Sequence, residues 1–520
     1  MGMLGDRGFD RFARWSGTTV KIMGAVEVII AGFLLIPAIA AIVLGEDPTP
    51  FLVTVPPLFI AGALQFVLFR ESKGFRTVNG LLMIGLAWLL VFVLGTVPYV
   101  VSGMTPVDAF FESVSGFTTT GSTIMSDIES WPVSLLLWRS LSQWLGGIAV
   151  IIIFMYILPV FSVGRGFFLN ELAGSGSSDY YMKMGNAAKS FIIVYCVLTF
   201  ANFLLLVLCG VDLVDALCLM LTTISTGGLM CRNDSLTSFS DIVQIITIVF
   251  MFLGGVNFYL HYRALYRHSK RVYRGNSEFK TLTLWFITIS VLVYVMIVAN
   301  MGSFTSLDIG EHLEVFKNSL FTTVSLGTTT GFAVDDYTQY PEQCVMLLMI
   351  VAFFGASSGS TSGGVKFGRL RIIYEFLANS LRKSLRPNEV MAVKVDGKPV
   401  DDSAVMSALS IFLMYIVTMF AGAVVLMFFG MDYVDSFGLT ISAVSNVGIG
   451  FGNFGPTESY AILDPRIKMI LCILMWLGRL EILVALTLFT PSFWREVWLN
   501  SRASRGARSR NRRMRRRHRV

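Results

Sequence analysis

Charge is the first thing this chain lacks. Of its 520 residues only 14% are charged while 54% are hydrophobic, against about 25% charged in a soluble globular domain. That excludes an ordinary water-soluble enzyme and points to an all-α polytopic membrane protein. Histidine is scarce too: four residues (His261, His268, His312, His518) lie scattered, none beside metal-type ligands or a nucleophile. A hydrolase built on Ser115-Gly116 would need a histidine base at membrane depth, and only His261 and His312 come near a span, both at its edge. The chain is read as not an enzyme. Six cysteines (196, 209, 218, 231, 344, 472) show no CxxC and no metal-type spacing, and most sit in apolar runs, where cysteine behaves as a small hydrophobe. There is no Rossmann-type nucleotide unit, so no organic cofactor is expected on this chain. The first apolar run lacks a small-residue cleavage site and reads as a retained span.

A span needs about 20 apolar residues. Ten such runs fall at 22–44, 51–69, 78–101, 132–160, 188–210, 240–262, 281–301, 343–375, 404–430 and 466–492. Basic residues are missing from alternate connections. Segments 1–21, 70–76, 161–189, 262–280, 366–398 and 495–520 hold 4, 3, 3, 6, 8 and 11 of them. The segments 45–50, 102–131, 211–241, 301–342 and 431–462 together hold Arg232 and Lys317 alone, but 19 of the 34 acids. The first set is therefore assigned to the cytoplasm, with both termini inside. The acidic outer set would concentrate cations.

What is present is a repeated polar island. Val114 to Gly121 reads V-S-G-F-T-T-T-G, and Val324 to Gly331 reads V-S-L-G-T-T-T-G. Weaker echoes end at Gly227 (L-T-T-I-S-T-G) and Gly448 (S-A-V-S-N-V-G), giving glycine spacings of 106, 104 and 117 residues. Each island follows an apolar stretch of about 12 residues, too short to cross, which favours a re-entrant half-helix entered from outside. These half-helices start near Asp108, Asp215, Asp435 and, in the third copy, Glu311 or Glu314; acids suit helix N-termini. The partly negative C-terminal ends would then face a common centre, where a dehydrated cation is stabilised. An even number of crossings per unit keeps all copies in one orientation around an axis along the membrane normal. The expected fold is four pseudo-fourfold repeats of helix, re-entrant pore loop and helix after an N-terminal transmembrane hairpin. The segments are 1–76 (tail and hairpin), repeats 77–187, 188–280, 281–402 and 403–495, and a basic tail 496–520.

These filters, with L-W-R-S-L-S-Q-W-L-G-G (Leu137 to Gly147), S-S-G-S-T-S-G-G-V-K (Ser357 to Lys366) and W-L-G-R-L-E-I (Trp476 to Ile482), resemble the Trk/Ktr/HKT superfamily of potassium transporters, on its bacterial Trk-system branch. The resemblance runs from about residue 20 to 495. It implies a pore within one chain, assembled as a homodimer, with K+ as the permeant ion. It assigns the filter to Thr118, Thr119, Thr120 and Gly121; Ser225, Thr226 and Gly227; Thr328, Thr329, Thr330 and Gly331; and Ser445, Asn446, Val447 and Gly448. In that family a serine at the first glycine goes with sodium, so Gly121 favours potassium. The fourth stretch departs from T-T-T-G, which leaves sodium passage, and coupling to sodium or protons, open.

The run G-A-S-S-G-S-T-S-G-G (Gly355 to Gly364) breaks an otherwise apolar segment and must line a cavity or be buried. No Lys-Ser/Thr follows Gly364, so it is not a phosphate loop. It reads either as a packing cluster or, as the resemblance implies, as a gate under the filter made of Gly355, Ser357, Ser358, Gly359, Ser360, Thr361, Gly363, Gly364 and Lys366. Arg479, deep in the last span, faces a water-filled path or a partner: the resemblance implies an electrostatic barrier beneath the filter, and an ion pair with Asp464 or the other subunit's Glu481 is the alternative. Arg139 and Gln143 form an i, i+4 polar pair with a structural role. Val390 to Val400 predicts a hairpin about Asp396-Gly397. The resemblance implies that it meets a TrkA-like cytoplasmic nucleotide-binding regulatory ring. Ten arginines between Arg502 and Arg519 suit anionic lipid headgroups or a solvated tail rather than nucleic acid.

Overall fold

The computed structural model describes residues 5–70, 77–157, 177–267, 271–301, 308–386, 388 and 391–496. The arginine tail, and most of the basic segment 161–189, lie outside them. In chain order come α1 (Gly5–Leu44), α2 (Thr49–Leu68), α3 (Thr77–Val101), α4 (Pro106–Phe117), α5 (Val133–Ile157), α6 (Ser177–Leu208) and α7 (Leu213–Ile224). Next are α8 (Asp241–Gly255), α9 (Phe258–Arg267), α10 (Arg271–Gly275), α11 (Ser277–Asn300), α12 (Ile309–Gly327), α13 (Glu342–Phe354) and α14 (Phe367–Leu385). A two-stranded hairpin, β1 (Lys394–Val395) and β2 (Lys398–Pro399), precedes α15 (Asp402–Phe428), α16 (Tyr433–Ser445), α17 (Pro465–Arg479) and α18 (Ile482–Thr487).

Among the described residues seven helices, α1, α2, α3, α5, α6, α11 and α15, are long and apolar enough to cross a membrane. Their outward faces are greasy: Ile39, Val43, Ile60, Leu208, Leu284 and Phe428 are all exposed. The interior is where polar side chains collect, among them Arg139, Gln143, Thr222 and Asn446. Apolar outside and polar inside is the arrangement of a membrane protein, whose surroundings offer backbone and side chains no hydrogen bonds.

The other three expected spans are broken rather than continuous. Residues 240–262 form α8 and α9, which meet at 99°. Residues 343–375 divide into α13 and α14 around the glycine-serine run, and 466–492 divide after Arg479. Each break exposes backbone groups that need partners at membrane depth, and the breaks supply them to one another. The Gly255 carbonyl accepts from Ser357 N (3.0 Å), and Phe258 N donates to the Gly359 carbonyl (3.1 Å).

Four short helices, α4, α7, α12 and α16, alternate with the long ones. Their starts are written locally. Thr105 caps α4 through Asp108 N (3.3 Å) with Pro106 as the first helical residue, where a missing N–H costs nothing. Asp212 caps α7 through Val214 N (3.0 Å), and Asp432 caps α16 through Val434 N (3.3 Å). At α12 the Glu311 carboxylate accepts from Asp308 N (2.8 Å). That helix has 19 residues where the others have 12 or 13, so its extra length lies before the polar stretch. The hairpin turn has positive φ at Asp396 (53°) and Gly397 (74°), the geometry that Asp-Gly supplies. Val393 and Val395 bury against Ile372 and Ile373 of α14 and Val405 and Ala408 of α15.

Candidate functional site: a ring of four glycine turns

Each short helix ends in the same hydrogen-bonded turn. Thr120 N, Gly227 N, Thr330 N and Val447 N donate to the carbonyls five residues back, on Ser115, Thr222, Ser325 and Ser442, at 2.8–2.9 Å. The preceding N–H groups, of Thr119, Thr226, Thr329 and Asn446, reach three residues back to Gly116, Thr223, Leu326 and Ala443. This pair of bonds closes a helix through a left-handed residue, normally glycine. Here Thr119, Thr226, Thr329 and Asn446 take φ of 51°, 52°, 58° and 57°. A β-branched residue there is strained, by about 1–2 kcal/mol, so the surroundings must hold it.

They do so by closing a ring. The next glycines, Gly121, Gly228, Gly331 and Gly448, also have positive φ (91°, 79°, 82°, 97°). A Cβ on Gly121 would stand 2.2 Å from the Gly227 carbonyl oxygen, and one on Gly228 would stand 1.9 Å from that of Thr330. One on Gly331 would lie 2.1 Å from Val447 O, and one on Gly448 would lie 2.2 Å from Thr120 O. Each turn thus abuts the backbone of the next, and the fourth returns to the first.

The ring moves the register of the second stretch by one residue. Turn geometry pairs Thr226, Gly227 and Gly228 with Thr119, Thr120 and Gly121, where the sequence reading took Ser225, Thr226 and Gly227. Two adjacent glycines hid this. The signal was nonetheless in the chain: Asp108, Asp215 and Asp435 stand 13 residues before Gly121, Gly228 and Gly448. All three acids have partners. Asp108 pairs with Lys468 (2.7 Å), Asp215 with Arg232 (2.7 Å), and Asp435 accepts from Asn453 N (2.9 Å).

Side chains around the ring hold the turns. The Thr118 and Thr120 hydroxyls pair at 2.7 Å, as do those of Thr328 and Thr330. Asn446 donates to Thr120 Oγ1 and to the Met475 carbonyl, both at 3.0 Å. The Gly448 carbonyl is taken by Ser122 Oγ (2.8 Å) and the Tyr460 hydroxyl (2.9 Å). Thr119 Oγ1, Ser445 Oγ and Asn446 Oδ1 are buried with no partner among the described residues.

Arg139 and Gln143 do not bond to each other; both reach from α5 to the second stretch. Gln143 donates to Gly227 O (2.6 Å) and accepts from Leu229 N (3.2 Å). Arg139 pairs with fully buried Glu112 (2.5 Å) and donates to Met230 O (2.9 Å). Cys218 on α7 and Cys231 beyond the glycines form a disulfide that closes over the second stretch. Sequence spacing gave no sign of that pairing.

The glycine-serine run lies directly against the ring. Thr329 Oγ1 accepts from Gly363 N (2.7 Å), and Thr361 Oγ1 bonds to the Ile224 and Gly254 carbonyls (3.0 and 3.1 Å). A Cβ on Gly363 would be 1.9 Å from Ser445 O. Three of the four stretches therefore touch this loop. Arg479 donates to the Thr361 carbonyl (2.8 Å), while its Nε and Nη2 have no partner among the described residues. Asp464 does not pair with it but lies beside Arg466 (3.7 Å), and this chain's own Glu481 pairs with Arg369. Lys366, at the start of α14, donates back to the Ser362 carbonyl.

Comparison with known proteins gives the family. Residues 52–496 match the model of the TrkH family, described as cation transport protein. The chain is 29% identical to the Trk system potassium uptake protein TrkH of Escherichia coli (strain K12), covering 92% of this chain and 99% of that protein. It is 30% identical to TrkI of Halomonas elongata over 94% of this chain and 98% of the relative. The crystal structure of the potassium transporter TrkH from Vibrio parahaemolyticus superposes with a TM-score of 0.83 at 27% identity, over 92% of this chain and 99% of that one. The chain is a membrane protein that belongs to the TrkH family of cation transport proteins.

Proposed function

We propose that this chain takes up potassium across the bacterial inner membrane through a selectivity filter at the centre of the ring, as the ion-translocating subunit of a Trk-type system. The observation that carries this reading is the closed ring of four left-handed threonine or asparagine turns, each followed by a glycine with no room for a Cβ. Four helix C-termini bring partial negative charge to one place, and backbone oxygens so gathered can replace a cation's water shell. Buried hydroxyl and amide oxygens without protein partners add polar lining. The four helix, short-helix, loop and helix units are then pseudo-fourfold repeats, with the α1–α2 hairpin outside them. Relatives named as potassium uptake proteins support K+ as the cargo.

The loop 355–364 is the gate and Arg479 the charge beside it. A cytoplasmic nucleotide-binding ring of TrkA type controls them from the hairpin side, on a homodimer with both termini inside. A less selective K+/Na+ pathway, or a sodium- or proton-coupled symport, is the second reading. Asn446 and Val447 favour it, because they replace two of the threonines that line the first and third stretches.

The test is growth of a potassium-uptake-deficient bacterium at low potassium. Rescue by the wild-type chain is expected, and no rescue despite confirmed insertion would overturn the reading. Flux with sodium as the only cation separates the two readings. Deletion of Ser357–Gly363 is expected to raise ungated flux.

A further inference from the structure

Beside its contacts with the filter, the α8–α9 break, Arg479 and Lys366, the gate loop has a link to the start of α11. Glu278, the second residue of α11, is buried, and its Oε1 accepts from Ser358 N at 2.7 Å. The space around that carboxylate is tight: a Cβ on Gly368, in the first turn of α14, would stand 3.0 Å from Glu278 Oε1. The neighbouring residue points the other way along the chain of contacts. Ser277 N donates to Asp396 Oδ1 (3.1 Å), at the tip of the β1–β2 hairpin. Asn276 caps the same helix through Phe279 N (2.8 Å), which fixes where its first turn sits. One helix terminus is thus bonded on one side to the hairpin and on the other to the loop under the ring.

We infer that Glu278 is a positioning residue that holds the glycine-serine loop in place and ties it to the Asp396 turn, so that displacement of the hairpin is felt at the loop. This rests on the reading of the loop as a gate. The physical basis is that the half-buried Ser358 N–H finds its acceptor in a buried carboxylate. The other described anchors of the run are backbone groups of α8–α9, filter-side groups, Arg479 and Lys366. Glu278 is the side-chain acceptor among them that comes from the hairpin side. A charged acceptor makes a stronger bond than a neutral one. Losing it would favour the displaced loop by about tenfold or more.

The experiment measures Rb+ flux in proteoliposomes of the full chain without any regulator. Glu278→Ala is expected to raise flux about tenfold. Glu278→Gln, which keeps an acceptor oxygen but not its charge, is expected to raise flux by less than Glu278→Ala does. Asp396→Ala is expected to raise flux less, and the double variant Glu278→Ala/Asp396→Ala no more than Glu278→Ala alone, because both act through one path. Should Glu278→Ala fail to reach the membrane, Glu278→Asp, one methylene short, carries the same expectation. Unchanged flux in Glu278→Ala, while deletion of Ser357–Gly363 raises flux, overturns the inference and leaves the gate standing. Unchanged flux in the deletion overturns both. Additive effects of the two single variants overturn the link to the hairpin.

Discussion

Alanine at Gly228 is expected to remove most cation uptake, whereas alanine at Gly227 is expected to be partly tolerated. The two residues are neighbours of identical composition, so only backbone geometry separates them. At Gly228 the new Cβ would meet the Thr330 carbonyl oxygen at 1.9 Å, on a backbone with φ of 79°. Neither partner can rotate away, because Thr330 is itself the closing residue of a turn. Forcing such contacts costs about 1–3 kcal/mol, and a side chain at left-handed φ adds about 1–2 kcal/mol. With tenfold per 1.4 kcal/mol, uptake should fall by roughly two orders of magnitude or more. At Gly227 the Cβ would meet the amide of Gln143 at 2.3 Å. That amide is the end of a flexible side chain, and moving it forfeits two hydrogen bonds worth about 1 kcal/mol each. Uptake should then fall about tenfold to thirtyfold, and Gln143→Ala should remove much of the difference between Gly227→Ala and wild type. Initial rates of Rb+ uptake, normalised to the amount of protein in the membrane, measure this. Equal damage at both positions, or greater damage at Gly227, would refute the ring register argued above.

The same pair of glycines shows where sequence reasoning stops. Membrane character was legible because hydrocarbon tolerates so few charges, and the short helices were legible because their length forbids crossing. The position of the polar islands followed from the repeat itself. Register was harder to read, because S-T-G-G offers two glycines to a pattern with one: only the 13-residue spacing from Asp215 points to Gly228, and the hydrogen bond from Gly227 N to Thr222 that decides between them is a backbone property. The broken spans were half legible. A run such as Gly355 to Gly364 announces its break through composition, whereas Val256-Asn257 and Leu480-Glu481 break helices that look continuous in hydropathy. Those breaks are held by partners far away in the chain, such as Gly359 for Phe258 and Arg369 for Glu481. Arg139 and Gln143 illustrate the reverse error. Their i, i+4 spacing suggested a pair on one helix, but each is used across the interior by a different neighbour.

Three further outcomes follow from the surroundings of the ring. Replacing both Cys218 and Cys231 by serine frees a segment of chain whose ends are 13 residues apart. Closure of a loop near that size is worth about 3 kcal/mol, so the purified variant should melt lower, and thiol labelling of the unreduced wild type should miss both residues. Arg139→Ala leaves the Glu112 carboxylate buried without its partner, a loss of about 3–5 kcal/mol; stability comparable to wild type in the same detergent would count against the pair. The last concerns Asp335, in the connection after the third glycine, which accepts from the Tyr340 hydroxyl. Burial, the largest influence, raises its pKa above the usual carboxylate value, so folding favours the protonated form. That contribution is fully present below the unfolded pKa of about 3.9 and is lost as pH rises through the raised value. Asp335→Asn carries no charge to bury. It should therefore melt above wild type at neutral pH, with the gap narrowing as pH falls toward 4. A gap that does not change with pH would mean that the ionised carboxylate is not what burial penalises.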